Sequence, residues 1–118
     1  MTPFTVAVER GAGRVVLTVA GEFDAARVDE FDAAARAARG ADAVTVDLRS
    51  TTIVDSAALG ALLRLQRSTE AASTPPATFE VLVARRFQVD LFRTTGLDAL
   101  LGVRVVEPDP SDRRAEPG

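Results

Sequence analysis

The chain contains no cysteine, histidine, lysine, tryptophan or tyrosine. Without cysteine it has no disulfide, no thiolate nucleophile and no thiolate metal ligand. Without histidine it lacks the commonest general base and cannot build a Ser-His-Asp triad. Without lysine it has neither a Schiff-base amine nor the lysine of a phosphate-binding loop. Only carboxylates and arginines remain for catalysis, so we expect a protein that is not an enzyme and needs no metal or cofactor.

Long apolar runs and an excess of positive charge are also missing. No segment of the 118 residues approaches the ~20 apolar residues that a membrane-spanning helix needs. The formal net charge of −3 and the pI of about 4.9 argue against non-specific binding of nucleic acid. The first residues show no basic stretch followed by an apolar one, so we expect no secretion signal and a cytoplasmic location.

Five runs of alternating apolar residues predict five strands. They are Phe4, Val6 and Val8; Val15, Leu17 and Val19; Val44, Val46 and Leu48; Phe79, Val81 and Val83; and Val103, Val105 and Val106. A turn over residues 9–13 should join the first two runs as an antiparallel hairpin. The stretch from Gly21 to Asp24 is expected to end the second strand.

Three segments have the period of a helix with one buried face. They run from Ala25 to Arg39 with Asp24 as N-cap, from Asp55-Ser56 to about Ala72, and from Phe87 to Thr95. Gly40, the loop over residues 73–76 and Gly96 should end them. The inner faces are assigned to Val28, Phe31 and Ala35; to Leu59, Leu62, Leu63 and Gln66; and to Val89, Leu91 and Phe92, with Leu97, Leu100 and Leu101 as further apolar cover.

The order β-β-α-β-α-β-α-β predicts a single α/β domain over residues 1–106. We expect a mixed sheet with an N-terminal antiparallel hairpin, right-handed crossovers and helices packed on the sheet. From Glu107 the composition changes to Pro, Asp, Arg and Gly, so residues 107–118 are predicted to form a disordered tail.

The most informative stretch runs from Ala43 to Gln66, where a strand, a short loop and a helix follow each other. Asp55 and Ser56 place a carboxylate and a hydroxyl at the expected helix N-terminus, which an ordinary helix cap would also explain. Strand-to-helix loops gather at the carboxyl ends of parallel strands, so Asp24 should lie beside this pair.

The outward face of the same helix also indicates a partner. Small residues after Ser56 leave the first turn open to approach. Gly60 shares a helix face with Arg64 and Arg67, opposite the leucines. Since glycine costs a helix roughly 1 kcal/mol relative to alanine, close approach by another protein would explain Gly60.

Three motifs resemble those of STAS domains, the family named for sulfate transporters and anti-sigma factor antagonists. They are V-T-V-D-L-R-S-T-T-I-V-D-S-A-A-L-G-A-L-L, which begins at Val44; G-E-F-D at Gly21–Asp24; and L-F-R-T-T-G-L-D at Leu91–Asp98. The resemblance covers about residues 4 to 106. Two departures are Ala58, where the family has glycine, and the lack of a clear C-terminal helix.

The resemblance implies a stand-alone anti-sigma factor antagonist. In such members the serine after the aspartate is phosphorylated by an anti-sigma factor that is also a histidine-kinase-like ATPase. The unphosphorylated antagonist binds that kinase and frees the sigma factor. Ser56 matches the serine, and the implied partner-binding residues are Asp24, Asp55, Ser56, Ala57, Leu59, Gly60 and Arg64. Neither nucleic-acid binding nor membrane insertion is implied, and a monomer and a weak dimer remain alternatives.

Two other functions remain open. The chain could be an accessory subunit of a transport system or another multi-protein assembly, in which the serine is not phosphorylated. It could also bind a small nucleotide, although the sequence contains no glycine-rich phosphate loop to support this.

Overall fold

The alternating apolar runs form one mixed sheet in a computed structural model that describes residues 3–72 and 74–106. The strands are β1 (Thr5–Gly11), β2 (Arg14–Phe23), β3 (Ala43–Val54), β4 (Thr78–Val83) and β5 (Val103–Val105), and they lie side by side in that order. β1 pairs antiparallel with β2, whereas all other pairs are parallel. The predicted α/β domain with an N-terminal hairpin is therefore confirmed. The tail predicted for residues 107–118 lies outside the described residues.

In the described residues, four α-helices lie between the strands. They are α1 (Val28–Ala35), α2 (Ser56–Ala71), α3 (Arg86–Thr94) and α4 (Leu97–Leu100). Short 3-10 turns at Ala25–Arg27 and Arg36–Ala38 extend α1 at both ends, so the helix predicted over residues 25–39 is present with tightened ends. The sequence analysis missed α4. Gly40 and Gly96 adopt positive φ values of 77° and 75° and end the helical segments, as predicted.

The core lies between the sheet and the helices. Leu17, Val46 and Val81 occupy one row across β2, β3 and β4, and each is fully buried. From α1, Phe31 packs its ring 4.8 Å from that of Phe23 at the end of β2. This contact fixes the start of α1 against the carboxyl end of the sheet.

The strands continue further than the sequence patterns predict. β1 extends to Gly11, and the hairpin turn contains only Ala12 and Gly13, both with positive φ. β2 passes through Gly21 at a φ of 89° and ends at Phe23. β3 also continues to Val54, so the predicted loop between β3 and α2 is wrong. The cause is parallel pairing, which resumes after register shifts and runs to Phe23 opposite Val54.

The buried face of α2 was only partly predicted. Leu59 and Leu62 are buried, but Leu63 and Gln66 are only partly so. Ala58, Ala61 and Leu65 complete the buried face because they, and not Leu63, point at the sheet. The Gln66 amide instead donates to the carbonyl oxygen of Leu100 at 2.7 Å. Leu97 and Leu101 provide the predicted apolar cover, whereas the Leu100 side chain is 61% exposed.

A buried glutamine joins α3 to the irregular end of β3. The Gln88 side chain is fully buried, and its Oε1 accepts from the backbone N–H groups of Ala84 and Arg85 at 2.9 and 3.0 Å. Its Nε2 donates to the Leu48 carbonyl at 2.6 Å and to the Thr51 hydroxyl oxygen at 3.0 Å. One amide thus joins the start of α3 to β3, where the Thr51 hydroxyl also donates to the Leu48 carbonyl at 2.6 Å.

Replacing this amide should therefore destabilise the domain strongly. Gln88→Leu keeps a similar volume but removes the side-chain acceptor of the Ala84 and Arg85 N–H groups, so we expect a loss of about 2–4 kcal/mol in unfolding free energy. Gln66→Leu is the matched control, because Gln66 is only partly buried and its amide makes one hydrogen bond. Chemical denaturation measures both variants. Equal losses of unfolding free energy in the two variants would show that the buried hydrogen bonds of Gln88 stabilise the fold no more than the single bond of Gln66.

Candidate functional site

The candidate site forms where β2 and β3 end side by side. Phe23 at the end of β2 pairs with Val54 at the end of β3. Asp55 follows Val54, and its backbone N–H donates to the Phe23 carbonyl at 3.3 Å. Because the two parallel strands end at the same level, their chains enter helical segments next to each other. Asp24 and Asp55 are the N-caps of those segments.

Asp55 caps two helical segments with one carboxylate. Its Oδ1 accepts from the N–H of Ala58 at 2.9 Å, which is an ordinary N-cap of α2. Its Oδ2 accepts from the N–H of Ala25 at 3.0 Å, at the start of the other segment. Asp24 Oδ1 accepts from Ala26 at 3.1 Å. The predicted proximity of Asp24 to Asp55 is confirmed, and the carboxylate that links the two segments belongs to Asp55.

Ser56 is the first residue of α2 and is exposed. Its hydroxyl forms no hydrogen bond with any other residue in the described ranges 3–72 and 74–106. The predicted position at an exposed helix N-terminus is therefore confirmed. The hydroxyl is open to a reagent or partner, and the positive end of the helix dipole favours negative charge beside it.

The other predicted contact residues fall into two groups. Ala57 and Gly60 are partly exposed and Arg64 is exposed, so all three lie on the outward side of α2. Leu59 is only 5% exposed and packs in the core, so a partner cannot reach it without rearrangement. Ala58 is fully buried, so the methyl group that replaces the family glycine lies inside the protein and not on the partner surface.

Among the residues that the structure describes, none requires glycine at position 60. A Cβ atom added there would meet only Nη1 of Arg64, at 3.6 Å, which is an ordinary van der Waals distance. The backbone of Gly60 is also regular helix. Packing within the described residues therefore gives no reason for glycine at this position.

Sequence reasoning missed two apolar residues at the same edge of the sheet. Ile53, at the end of β3, is 46% exposed, and Phe87, in the first turn of α3, is 38% exposed. The available signal was that Ile53 and Val54 are adjacent in a strand, so that only one of them can face the core. Ile53, three residues before Ser56, adds apolar area beside the site, which suits a protein partner.

The described residues hold no group of three or more acidic, histidine or cysteine side chains that could bind a metal ion. Within the same ranges, every helix is too short or too polar to cross a bilayer. The site offers an exposed hydroxyl, two capping carboxylates and a smooth helix face, and these features fit binding and modification.

The fold and the site define a small α/β domain with an exposed hydroxyl at a helix N-terminus. A family model described as "Mlab, STAS domain" matches residues 6–103, so the chain belongs to the STAS domain family. The antagonists of this family are regulatory binding proteins and not enzymes. A search of curated proteins found no match.

Solved structures with this fold include several antagonists. An anti-sigma factor antagonist from Mycobacterium paratuberculosis superposes with a TM-score of 0.75 at 22% identity, covering 93% of this chain and 90% of the other. The Bacillus cell fate determinant SpoIIAA in its phosphorylated form gives 0.66 at 18% identity, covering 95% and 100%. The anti-sigma factor antagonist SpoIIAA in its unphosphorylated form gives 0.64 at 16% identity, covering 94% and 96%. At these identities the likeness establishes the fold.

Removing the Asp55 carboxylate should cost more stability than removing that of Asp24. Asp55→Ala loses caps on two helical segments, so we expect a loss of about 2 kcal/mol, whereas Asp24→Ala loses one cap and about 1 kcal/mol. Asp55→Asn retains one carbonyl oxygen and should fall between parent and Asp55→Ala. Chemical denaturation measures all three variants. If Asp24→Ala were the more damaging, the double cap would not be what joins α1 to α2.

Proposed function

We propose that the chain is a cytoplasmic anti-sigma factor antagonist. It binds an anti-sigma factor serine kinase of the histidine-kinase-like ATPase type, which then releases its sigma factor. Phosphorylation of Ser56 switches this binding off. The single observation that carries the proposal is the exposed, unbonded hydroxyl of Ser56 at the start of α2, beside a carboxylate that is already engaged in capping.

The partner surface of this proposal is the outward side of the first turns of α2. Ser56, Ala57 and Gly60 form its centre, with Arg64 one turn further along. Ile53 supplies exposed apolar area beside the centre, and Asp24 lies at its edge. Leu59 supports this surface from the core and makes no direct contact with the partner.

The switch acts at the interface and leaves the fold intact. A phosphate adds about −1.5 to −2 charges at pH 7. At a helix N-terminus this charge meets free N–H groups and the positive end of the dipole, so it should be neutral or stabilising by ~0.5–1 kcal/mol. The same group beside Asp55 adds bulk and a strongly hydrated anion where the partner has to pack, and both oppose binding.

Incubation with a purified candidate kinase and ATP tests the proposal directly. Intact mass spectrometry should show the addition of one phosphate to the parent and none to Ser56→Ala. The control fails if Ser56→Ala gains the same mass, because another residue would then be the acceptor. If no kinase of this ATPase type modifies or binds the parent, the antagonist proposal is wrong.

The two substitutions at Ser56 should separate binding from stability. Ser56→Ala should bind the kinase as the parent does, since the hydroxyl makes no hydrogen bond within the described residues and its loss leaves the surface in place. Ser56→Asp should bind more weakly, yet melt no lower than the parent, because a carboxylate is favourable at this helix end. Calorimetric titration and thermal melts measure the two properties. Tight binding by Ser56→Asp would contradict the switch, and loss of binding through unfolding would make Ser56 a structural cap.

Gly60→Ala should raise stability and weaken binding. Alanine is a better helix former by roughly 1 kcal/mol, and the added methyl meets no close neighbour within the chain. In a close-packed interface the same methyl would cost about 1–3 kcal/mol by overpacking. Glu70→Ala, an exposed change further along α2, is the control and should leave binding unchanged. If Gly60→Ala binds the kinase as tightly as the parent, the partner does not cover this turn.

An accessory subunit of a transport system or another assembly is the second candidate. The observation in its favour is that the matching family model is named for Mlab and not for an antagonist. In that case the same α2 surface would bind a different protein, and Ser56 would stay unmodified. The mass measurement distinguishes the two, because only the antagonist proposal requires phosphate on Ser56.

A further inference from the structure

A cavity of about 450 Å³ opens between α1 and the second half of α2. Its floor is apolar and includes Ala35, Ala38 and Leu65, all buried. The hydroxyls of Ser68 and Thr69 also line it, but they donate to the carbonyl oxygens of Leu65 and Gln66. Hydrogen-bond donors for a ligand must therefore come from the charged side chains of the lining.

Those charged side chains are mostly positive. Arg36, Arg39 and Arg64 line the cavity against a single carboxylate, that of Asp32. Asp32 pairs with Arg64 at 3.4 Å, and both side chains are about half exposed. Among residues 3–72 and 74–106, Arg36 and Arg39 form no ion pair. The lining is thus positive in a chain whose formal net charge is −3.

Helix stability explains only part of this arrangement. Arg36 and Arg39 follow the C-terminal end of α1, where cations interact favourably with the helix dipole. Arg64 lies in the middle of α2, so no helix end accounts for it. Positive groups from two elements meet at one cavity, and this convergence is what indicates a ligand.

We propose that this arginine groove, formed by Arg36, Arg39 and Arg64 above the apolar floor, binds an acidic segment of a partner protein. Carboxylates of the segment would pair with the guanidinium groups at the rim, and an apolar side chain would occupy the floor. From Arg64 to Ala72 the groove runs roughly 12 Å along α2, which suits a short polypeptide segment. A lone phosphate fits less well, because none of the lining residues belongs to the first turn of α1 or of α2.

The arginine groove is continuous with the surface around Ser56. Gly60 and Arg64 are one helical turn apart on the same side of α2. A protein that packs over Gly60 therefore lies next to the groove and can extend an acidic segment into it. The inference enlarges the partner surface of the proposed function, but it requires neither a kinase nor phosphate on Ser56.

Fluorescence anisotropy with a short fluorescein-labelled peptide of glutamate and leucine tests the groove. The same peptide with glutamine in place of glutamate controls for charge. The protein variants are Arg36→Gln/Arg39→Gln and, as a matched control, Arg10→Gln/Arg93→Gln, which removes two exposed arginines from β1 and α3. We expect saturable binding of the glutamate peptide by the parent, weakened about five- to tenfold in the groove variant and unchanged in the control.

Three results would contradict the proposal that the arginine groove binds an acidic segment. They are equal binding of the glutamine peptide, equal weakening in both double variants, and displacement of the peptide by millimolar inorganic phosphate. Equal binding of the glutamine peptide would mean that the carboxylates of the peptide do not contribute to binding. Equal weakening in both double variants would mean that the attraction depends on the overall charge of the protein. Displacement by phosphate would mean that the site binds a small anion. Ser56→Asp should bind the glutamate peptide as the parent does, so failure of the switch and failure of the groove give different results.

Discussion

The double cap made by Asp55 is the interaction on which the site depends. Two helical segments begin side by side, and each brings unsatisfied N–H groups and the positive end of a dipole to the same place. The Asp55 carboxylate accepts from the N–H groups of Ala58 and Ala25, and its negative charge interacts favourably with the positive ends of both helix dipoles. This is possible because β2 and β3 end at the same level, with Phe23 opposite Val54. The cap fixes α1 relative to α2, and thereby fixes the surface on which Ser56 lies.

This geometry is also compatible with the proposed switch at Ser56, because the capping of both helical segments does not involve the serine hydroxyl. The caps that stabilise the two helical segments come from Asp24 and Asp55, and the Ser56 hydroxyl makes no hydrogen bond in the part of the chain that the structure describes. The positive ends of two helix dipoles converge at this edge of the sheet, and each favours negative charge beside it. A negative group on Ser56 is consequently tolerated by the fold, and its effect is confined to what a partner meets.

The sequence predicted those features that local pattern and capping chemistry determine. Alternation identified the five strands, and Asp55-Ser56 identified the start of α2. The sequence did not predict that β2 continues through Gly21 or that β3 continues to Val54. These residues are strand because β2 and β3 pair with each other there, after shifts in register that the local pattern does not reveal. The sequence also could not predict that the Gln88 side chain is buried and bonds the backbone of Ala84 and Leu48. The apolar periodicity of a helix does not indicate the contacts of a polar residue. In each case a tertiary contact overrides the local pattern.

The two proposed functions of α2 are separated along its length. Ser56 and Arg64 are eight residues apart, or roughly 12 Å along the helix, whereas charges in water at physiological salt are screened beyond about 8 Å. A phosphate on Ser56 therefore acts on a partner by local contact and does not neutralise the arginine groove at a distance. In this arrangement the groove would contribute to the choice of partner in both states, and the serine alone would decide whether the partner can pack over Gly60.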